Sequence, residues 1–322
     1  ATVAGDTTPR LWSSEGLVAA LEGHIRGAVD AVFRPEGESL LTISRDGSIR
    51  LWDHLGKLLH TQDFPVVKHQ REGPVRLAGF TSTKDRCVVQ IFGSAWIWDI
   101  HSSAPVGLMG HREPVLSVTL SPSRERILTT SADGTAMVWS SAGSRITKLE
   151  KHGGPVQTGA FSPDAKTIAT ASGSVVYLWP EQGKLPARCI GHEKTVHTIV
   201  FSKAGDLVLT ASADGTARLW DLEGKERAVL RGHGWDVLAA VFSANGKRIL
   251  TASKDKTARL WDLEGNELAV LRGHDGWIGQ AFLLPDCMHV LTCSEDGTAR
   301  TWLCDDAELV KLADGRILRD FT

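Results

Sequence analysis

A repeat with a fixed period is the feature that most constrains this chain. In the second half, a Gly-His dipeptide recurs every 41 residues, and a tryptophan follows each histidine at a spacing of 28. Three successive repeats are marked by His192 and Trp220, by His233 and Trp261, and by His274 and Trp302. A period of about 40 residues is typical of architectures in which each repeat buries its apolar face against its neighbours. Residues 1–322 are therefore expected to form one repeat domain.

The residues inside one repeat predict β-strands. In the fifth repeat, residues 195–201, 207–212 and 216–220 are rich in β-branched or large apolar side chains and are separated by Gly, Asp and Ser. A fourth such stretch, residues 227–230, precedes the next Gly-His. Opened by Gly-His and closed by Trp-Asp, the repeat resembles the WD40 repeat of β-propellers. The resemblance implies an all-β propeller of four-stranded antiparallel blades. The near-identity of the fifth to seventh repeats resembles propellers of prokaryotic multidomain proteins.

The number of blades follows from the repeat-closing tryptophans. There are eight of them, but only seven histidines stand at the start of a repeat. The tryptophans are Trp12, Trp52, Trp98, Trp139, Trp179, Trp220, Trp261 and Trp302, and the histidines are His24, His69, His111, His152, His192, His233 and His274. Residues 2–12 align with the end of a repeat and residues 315–321 with a first strand. We therefore predict eight blades, the last built from both termini. The alternative is seven, with residues 17–21 completing the last blade.

Composition narrows the classes of function. The formal net charge of −2 provides no overall field that would attract nucleic acid or an anionic membrane. The five cysteines are an odd number without a CxxC pair, which favours reduced thiols and a cytoplasmic location over disulfides or zinc. No apolar run is long enough to span a membrane, and the histidines outside the repeat pattern lack metal-ligand spacing. We expect neither a metal nor a cofactor.

Five repeats carry His, Ser, Asp and Trp at constant spacing, a set that invites comparison with a hydrolase triad. In the resembled family this set is a structural tetrad in which Asp orients His, His bonds Ser, and Ser reaches the tryptophan N–H. Buried imidazole and indole N–H groups need partners, and five copies suit a structural element better than a catalyst. We predict no catalytic residue. The tetrads are His24/Ser44/Asp46/Trp52, His111/Ser131/Asp133/Trp139, His192/Ser212/Asp214/Trp220, His233/Ser253/Asp255/Trp261 and His274/Ser294/Asp296/Trp302.

Three repeats depart from the tetrad. The second keeps only His69 and Trp98, the fourth lacks the Asp, and the incomplete one keeps Asp6 and Trp12. Arginines that precede the closing tryptophan form a second periodic pattern. They are Arg10, Arg50, Arg218, Arg259 and Arg300. Their periodic placement favours stems that pack on the sheet and pair with acids of neighbouring blades; the alternative is a belt that binds anions.

Residues that depart from the repeat consensus predict a docking surface on the narrow face of the propeller. Trp235 and Trp277 are not repeat-closing, and both closely follow Gly-His in successive repeats. Large aromatics in adjacent loops are typical of interface hot spots; the alternative is that they wedge between blades as core. Charged residues in the Ser-x-Asp turns and the Gly-His loops are predicted to join them. These are Arg45, Lys254, Arg26 and Lys194.

The resemblance implies a non-catalytic protein–protein interaction scaffold or sensor module within a larger signalling polypeptide. Its expected partner is a protein, a peptide or another domain of the same polypeptide. One alternative is a reader of nucleic acid or modified peptides, which would bind in a salt-dependent way. The other is an enzyme with its site in the central channel, which would need inward-facing clusters of His, Asp or Glu. The repeat pattern contains no such clusters.

Overall fold

The computed structural model describes residues 8–13, 16–34, 36–64, 75–102, 104–180 and 185–304. The chain divides into two compact units, Ala1–Lys151 (unit 1) and His152–Thr322 (unit 2). All regular secondary structure within the described residues is β-strand, and every strand pairing is antiparallel. The predicted all-β fold of four-stranded antiparallel sheets is therefore confirmed.

The described residues of unit 1 form one two-stranded and three four-stranded sheets. The two-stranded sheet pairs β1 with β2, and the others have the strand orders β3-β4-β5-β6, β10-β9-β8-β7 and β11-β12-β13-β14. The strands are β1 (Arg10–Ser13), β2 (Gly16–Ala20), β3 (Ala28–Phe33), β4 (Ser39–Ser44), β5 (Ser48–Asp53), β6 (Leu58–Asp63), β7 (Val75–Phe80), β8 (Arg86–Ile91), β9 (Ser94–Asp99), β10 (Val106–Gly107), β11 (Val115–Leu120), β12 (Arg126–Ser131), β13 (Ala136–Ser140) and β14 (Arg145–Leu149).

Unit 2 contains three four-stranded sheets and, within the described residues, one of three strands. Their orders are β15-β16-β17-β18, β19-β20-β21-β22, β23-β24-β25-β26 and β27-β28-β29. The strands are β15 (Val156–Phe161), β16 (Thr167–Ser172), β17 (Val175–Pro180), β18 (Ala187–Cys189), β19 (Val196–Phe201), β20 (Leu207–Ser212), β21 (Thr216–Asp221), β22 (Glu226–Arg231), β23 (Val237–Phe242), β24 (Ile249–Ser253), β25 (Ala258–Trp261), β26 (Glu267–Leu271), β27 (Ile278–Leu283), β28 (His289–Ser294) and β29 (Ala299–Leu303).

The pairing of β1 with β2 can be compared with the predicted number of blades. Strand β2 pairs with β1, with Arg10 opposite Ala20 and Leu11 opposite Ala19. This pairing places residues 17–20 beside the strand that carries Trp12, as the eight-blade prediction requires. The other segments of the predicted composite blade, residues 2–7 and 315–321, lie outside the described residues. Closure by both termini therefore stays a prediction.

The second strand of each four-stranded sheet forms its core. In β20, every residue after Leu207 is fully buried, because the neighbouring sheets of unit 2 cover both of its faces. Ala171, Val196 and Val208 belong to one apolar cluster that joins the sheets of the fourth and fifth repeats. Strands covered on both faces read as continuous runs of apolar or small residues rather than as alternating patterns, as in the sequence LVLTAS. A polar member of such a strand, Thr210, therefore needs an internal partner.

The strand register shows which loops lie at the same end of a sheet. Val196 lies opposite Ser212, and Ala211 lies opposite Ala217. The Gly-His loop before the first strand and the turn between the second and third strands therefore meet at the same end, which we call the loop end. The turn between the third and fourth strands, which contains Glu223, lies at the opposite end.

The periodic arginines pack within their own sheets. Arg218 is only 7% exposed, and its guanidinium forms an ion pair with Glu226 on the neighbouring strand β22. Arg259 forms the equivalent pair with Glu267. The structure thus places these two arginines as packed, paired residues, although the acids belong to the same sheet and not to neighbouring blades as predicted.

The glycine of the Gly-His dipeptide makes room for this packing. A Cβ on Gly191 would lie 2.4 Å from Nη1 of Arg218, 3.0 Å from the Trp220 ring and 3.1 Å from Oε2 of Glu226. Because Arg218 and Trp220 are buried and Arg218 is paired with Glu226, we expect Gly191→Ala to lower the free energy of unfolding by about 1–3 kcal/mol. Gly234→Ala is the matched control, since no atom lies within 4 Å of a Cβ at that position. Urea unfolding should separate the two variants; equal midpoints would contradict this explanation of the motif.

The sixth repeat carries a lysine in the left-handed region at a turn position where four other repeats carry glycine. The turn between the second and third strands has glycine with φ near 80° at Gly47, Gly134, Gly215 and Gly297, but the sixth repeat has Lys256 with φ 69°. We expect Lys256→Gly to raise the free energy of unfolding by about 0.5–1 kcal/mol, because an L-residue is strained in this conformation. Lys247→Gly, at an exposed position without a positive φ, should lower it. A loss of stability in Lys256→Gly, measured by thermal unfolding, would refute the prediction.

Candidate functional site

A network of hydrogen bonds joins four side chains in each complete repeat. The fifth repeat shows its geometry. Nδ1 of His192 lies 2.7 Å from Oδ2 of Asp214, and its Nε2 lies 2.7 Å from Oγ1 of Thr210. The indole N–H of Trp220 donates to the same Oγ1 at 2.9 Å. When Nδ1–H donates to the carboxylate, Nε2 of the neutral imidazole can accept from the threonine hydroxyl. The polar atoms that link these four side chains then all have a hydrogen-bond partner.

The prediction that serine joins His to Trp is wrong, because threonine holds that position. Ser212 instead donates from its hydroxyl to the carbonyl of Lys194 at 3.0 Å and accepts from the N–H of Asp214 at 3.1 Å. The serine thus ties the Gly-His loop to the turn, and the threonine two residues earlier bridges the two rings. Since the serine hydroxyl bonds a backbone carbonyl and not the imidazole, the arrangement is not a nucleophile–base pair.

The same network recurs in both units. The His–Thr and Trp–Thr distances all lie between 2.7 and 2.9 Å. The complete sets are His24/Thr42/Asp46/Trp52, His111/Thr129/Asp133/Trp139, His192/Thr210/Asp214/Trp220, His233/Thr251/Asp255/Trp261 and His274/Thr292/Asp296/Trp302. Sequence analysis identified the His, Asp and Trp members of these sets but missed the threonines.

The divergent repeats keep parts of the network. In the fourth, His152 and Trp179 both bond Thr170. In the second, the N–H of Trp98 donates to the backbone carbonyl of Ser102 at 3.2 Å. His69, Asp6 and the side chain of Trp12 lie outside the described residues.

Burial and hydrogen bonding set the protonation of these groups. Burial lowers the pKa of His111 and of His192, and the neighbouring carboxylates only partly oppose this. Burial alone would raise the pKa of Asp214. Hydrogen bonds from Thr216, His192 and the N–H of Glu193 outweigh it and lower that pKa to about 2. His111 and His192 are therefore neutral and Asp214 is ionised near neutral pH, which suits a fixed structural link.

The predicted docking tryptophans lie exposed at the loop end of two adjacent sheets of unit 2. Trp235 is 67% exposed and Trp277 is 43% exposed, in contrast to the closing Trp220 at 1%. The backbone of each is fixed by the facing turn: the Ser253 hydroxyl donates to the carbonyl of Trp235, and the N–H of Glu295 donates to that of Trp277. Such exposure does not match the alternative that these rings form core between blades.

The predicted charged contacts differ in their surroundings. Nζ of Lys254 lies 2.9 Å from Oδ2 of Asp236 and 4.9 Å from the centroid of the Trp277 ring. Lys194 in unit 2 is exposed, and so are Arg26 and Arg45 in unit 1. Sequence analysis did not predict a role for Asp236, because the contact depends on how two loops of one sheet fold together. We call Trp235, Asp236, Lys254, Asp275, Trp277 and Glu295 the tryptophan face.

Other kinds of site were sought among the described residues. There, no group of three or more His, Cys, Asp or Glu side chains is arranged to hold a metal ion. The five cysteines are free thiols, and burial raises the pKa of Cys87 and Cys189 to about 12. The part of the chain that the structure describes also contains no helix of the length and hydrophobicity needed to cross a membrane.

The repeats match the family model described as WD domain, G-beta repeat, at residues 15–53, 103–140, 143–180, 183–221, 224–262 and 265–302. These six matches cover well over half of the chain. The chain belongs to the WD40 family. Its fold is accordingly a WD40-type β-propeller, as the spacing of Gly-His and Trp predicted. The family model does not match residues 54–102, which hold the divergent second repeat.

The WD40 chain is also similar to three characterised proteins. It is 31% identical over 248 residues to nuclear distribution protein PAC1 of Arthroderma otae, covering 66% of this chain and 54% of that protein. It is 38% identical over 106 residues to nuclear distribution protein nudF 2 of Talaromyces marneffei, covering 28% and 24%. It is 28% identical over 154 residues to telomerase protein component 1 of Rattus norvegicus, covering 43% and 6%. The WD40 chain thus spans at most 54% of the length of these relatives.

Proposed function

We propose that this WD40 chain is a non-catalytic protein-interaction scaffold and that the tryptophan face is its docking site. The observation that carries the proposal is the exposure of Trp235 and Trp277 on adjacent sheets, in loops whose backbone is fixed by hydrogen bonds. Exposed tryptophans on rigid supports provide a large apolar area with little conformational entropy to lose on binding, and they are typical of interface hot spots.

The charged residues predicted from the sequence are proposed as secondary contacts. Lys194 is exposed in the Gly-His loop of the fifth repeat, and Arg26 and Arg45 are exposed at the loop end of the first repeat in unit 1. Exposed charges at an interface affect the association rate and specificity more than the affinity. We therefore expect their removal to change salt dependence more than the dissociation constant.

The wider setting is also a proposal. The partner is a protein, a peptide or another domain of the same polypeptide, and the chain acts within a larger signalling polypeptide in the cytoplasm. The similarity of the fifth to seventh repeats to one another is the reason for proposing a prokaryotic multidomain type, whereas the relatives named above are fungal or mammalian proteins. Two of those relatives are named for nuclear distribution, and a role of that kind is one form that the scaffold function could take.

Affinity capture followed by measurement with the purified partner tests this function. Proteins retained by the wild-type chain are identified, purified and titrated against the wild type, Trp235→Ala/Trp277→Ala and the control Phe282→Ala. Phe282 is also exposed but lies at the far end of β27. We expect the double variant to weaken binding at least about 100-fold and the control to bind normally. Equal affinity for the double variant would refute the site, and retention of nucleic acid in a salt-sensitive manner would favour the reader alternative.

A further inference from the structure

The tryptophan face already holds a cation. The ammonium of Lys254, on the turn of the sixth repeat, lies 4.9 Å from the centroid of the Trp277 ring, which belongs to the seventh. The same ammonium lies 2.9 Å from Oδ2 of Asp236, which neutralises it. A cation at this distance from an indole is attracted to the ring face. One face of Trp277 is therefore covered by the chain's own lysine, although the ring remains 43% exposed.

Two exposed acidic residues lie next to Trp277 in the backbone, without a cation of their own among the described residues. Asp275 precedes Trp277 by two residues, and the N–H of Glu295 donates to the Trp277 carbonyl at 2.9 Å. Both side chains are exposed, and neither forms an ion pair with any residue that the structure describes. Since Asp236 neutralises Lys254, the unpaired charges on the residues next to Trp277 are negative.

From these contacts we propose that the tryptophan face binds an arginine side chain from an extended partner segment and that Lys254 is the internal occupant which this arginine displaces. The proposal rests on the scaffold function above and specifies the chemistry of its partner. The guanidinium stacks on an exposed indole and pairs with Asp275 or Glu295. Arginine suits the site better than lysine because its planar, weakly hydrated head group stacks on aromatic rings and bonds carboxylates with two N–H groups. An acidic partner would be repelled by both carboxylates.

Displacement of Lys254 leaves its ion pair intact. The ammonium can leave the ring and stay bonded to Asp236, because that contact is separate from the one with the indole. The site therefore exchanges one cation for another on the Trp277 ring and adds a pairing to a free carboxylate. If arginine displaces Lys254, removal of the positive charge of Lys254 should strengthen binding. If Lys254 instead contacts an acidic partner directly, removal of that charge should weaken binding.

The test uses fluorine NMR of the full chain labelled with 5-fluorotryptophan. The signals of Trp235 and Trp277 are assigned with Trp235→Phe and Trp277→Phe. The probe is the acetylated and amidated peptide Gly-Ser-Gly-Arg-Gly-Ser-Gly, and the control peptide carries citrulline, which has the same shape without charge, in place of arginine. We expect the arginine peptide to shift the signals of Trp235 and Trp277 but not those of the closing tryptophans, and the citrulline peptide to bind at least about 5-fold more weakly.

Variants then separate the roles within the face. Lys254→Met should tighten binding of the arginine peptide about 2- to 5-fold, and Glu295→Gln should weaken it by a similar factor. Glu223→Gln is the matched control, since Glu223 is an exposed acid at the opposite end of a sheet in the same unit. Equal binding of the two peptides, weaker binding by Lys254→Met, or no shift of either signal would each overturn the proposal. If the capture experiment still finds a partner that depends on Trp235 and Trp277, the scaffold function stands and only the arginine assignment fails.

Discussion

Thr210→Val is expected to lower the free energy of unfolding by about 2–4 kcal/mol, because it leaves two buried groups without a partner at once. Nε2 of His192 and the indole N–H of Trp220 both depend on the Thr210 hydroxyl, and each unsatisfied buried polar group costs about 1–3 kcal/mol. Valine has nearly the same shape as threonine, so the loss reports hydrogen bonding and not packing. Urea unfolding monitored by tryptophan fluorescence measures the effect.

Two further variants make this result diagnostic. Ser212→Ala, which removes one bond to a backbone carbonyl and one from a backbone N–H, should cost about 1 kcal/mol. Thr301→Val, at an exposed position in β29 of the same unit, should change stability by no more than about 0.5 kcal/mol. A larger loss in Ser212→Ala than in Thr210→Val would restore the serine-centred network that the sequence suggested.

Acid is expected to destabilise the chain progressively below about pH 6.5, through the networks of His111 and His192. Burial lowers the pKa of His111 and His192 in the folded state, so the unfolded chain takes up these protons first as the pH falls. The folded pKa values of Asp133 and Asp214 are about 2, below 3.8. Their contribution is therefore complete above pH 4 and is lost as the pH falls towards 2. Both groups act in the same direction.

The pH prediction is checked by the slope of unfolding free energy against pH between 7.5 and 3.5. His192→Gln should lower stability at neutral pH and reduce the slope, because it removes an imidazole that takes up its proton more readily in the unfolded chain than in the folded one. Glu223→Gln, which removes an exposed acid outside the networks, should leave the slope unchanged. A stability that is flat from pH 7 to 4 would contradict the assignment of neutral imidazoles and ionised carboxylates.

The serine prediction failed for a reason that strand geometry explains. Ser212 and Thr210 lie two residues apart on β20, so their side chains point to the same face of the sheet, and spacing alone does not tell which hydroxyl reaches the indole. In the observed register, Trp220 lies opposite Val208. Thr210 is two residues from that point, but Ser212 is four residues away, about 13 Å along the strand. Counting residues away from the Ser-x-Asp turn along both β20 and β21 would have placed Val208 opposite Trp220.

Local features could be predicted from the sequence, whereas contacts between sheets could not. The strands of the fifth repeat were found because apolar runs and turn residues are local signals, and β19, β20 and β21 match the expected segments closely. The contact of Lys254 with Trp277 joins two sheets, so it depends on packing that no local pattern encodes. The sequence marked both residues as departures from the repeat, but not that they meet.

The middle residue of each Ser-x-Asp turn is held to its sheet by a backbone hydrogen bond, to which Lys254 alone among the five adds a side-chain ion pair, with Asp236. Its N–H bonds the loop that precedes the first strand, whatever the side chain. The residues at this position are Arg45, Ala132, Ala213, Lys254 and Glu295. Mutation can therefore rewrite the outward chemistry of a repeat without disturbing the bonds that brace it. Protein engineers can therefore vary these five side chains to change binding while the backbone hydrogen bonds stay in place. During evolution, new binding specificity can arise at the same positions with little loss of stability.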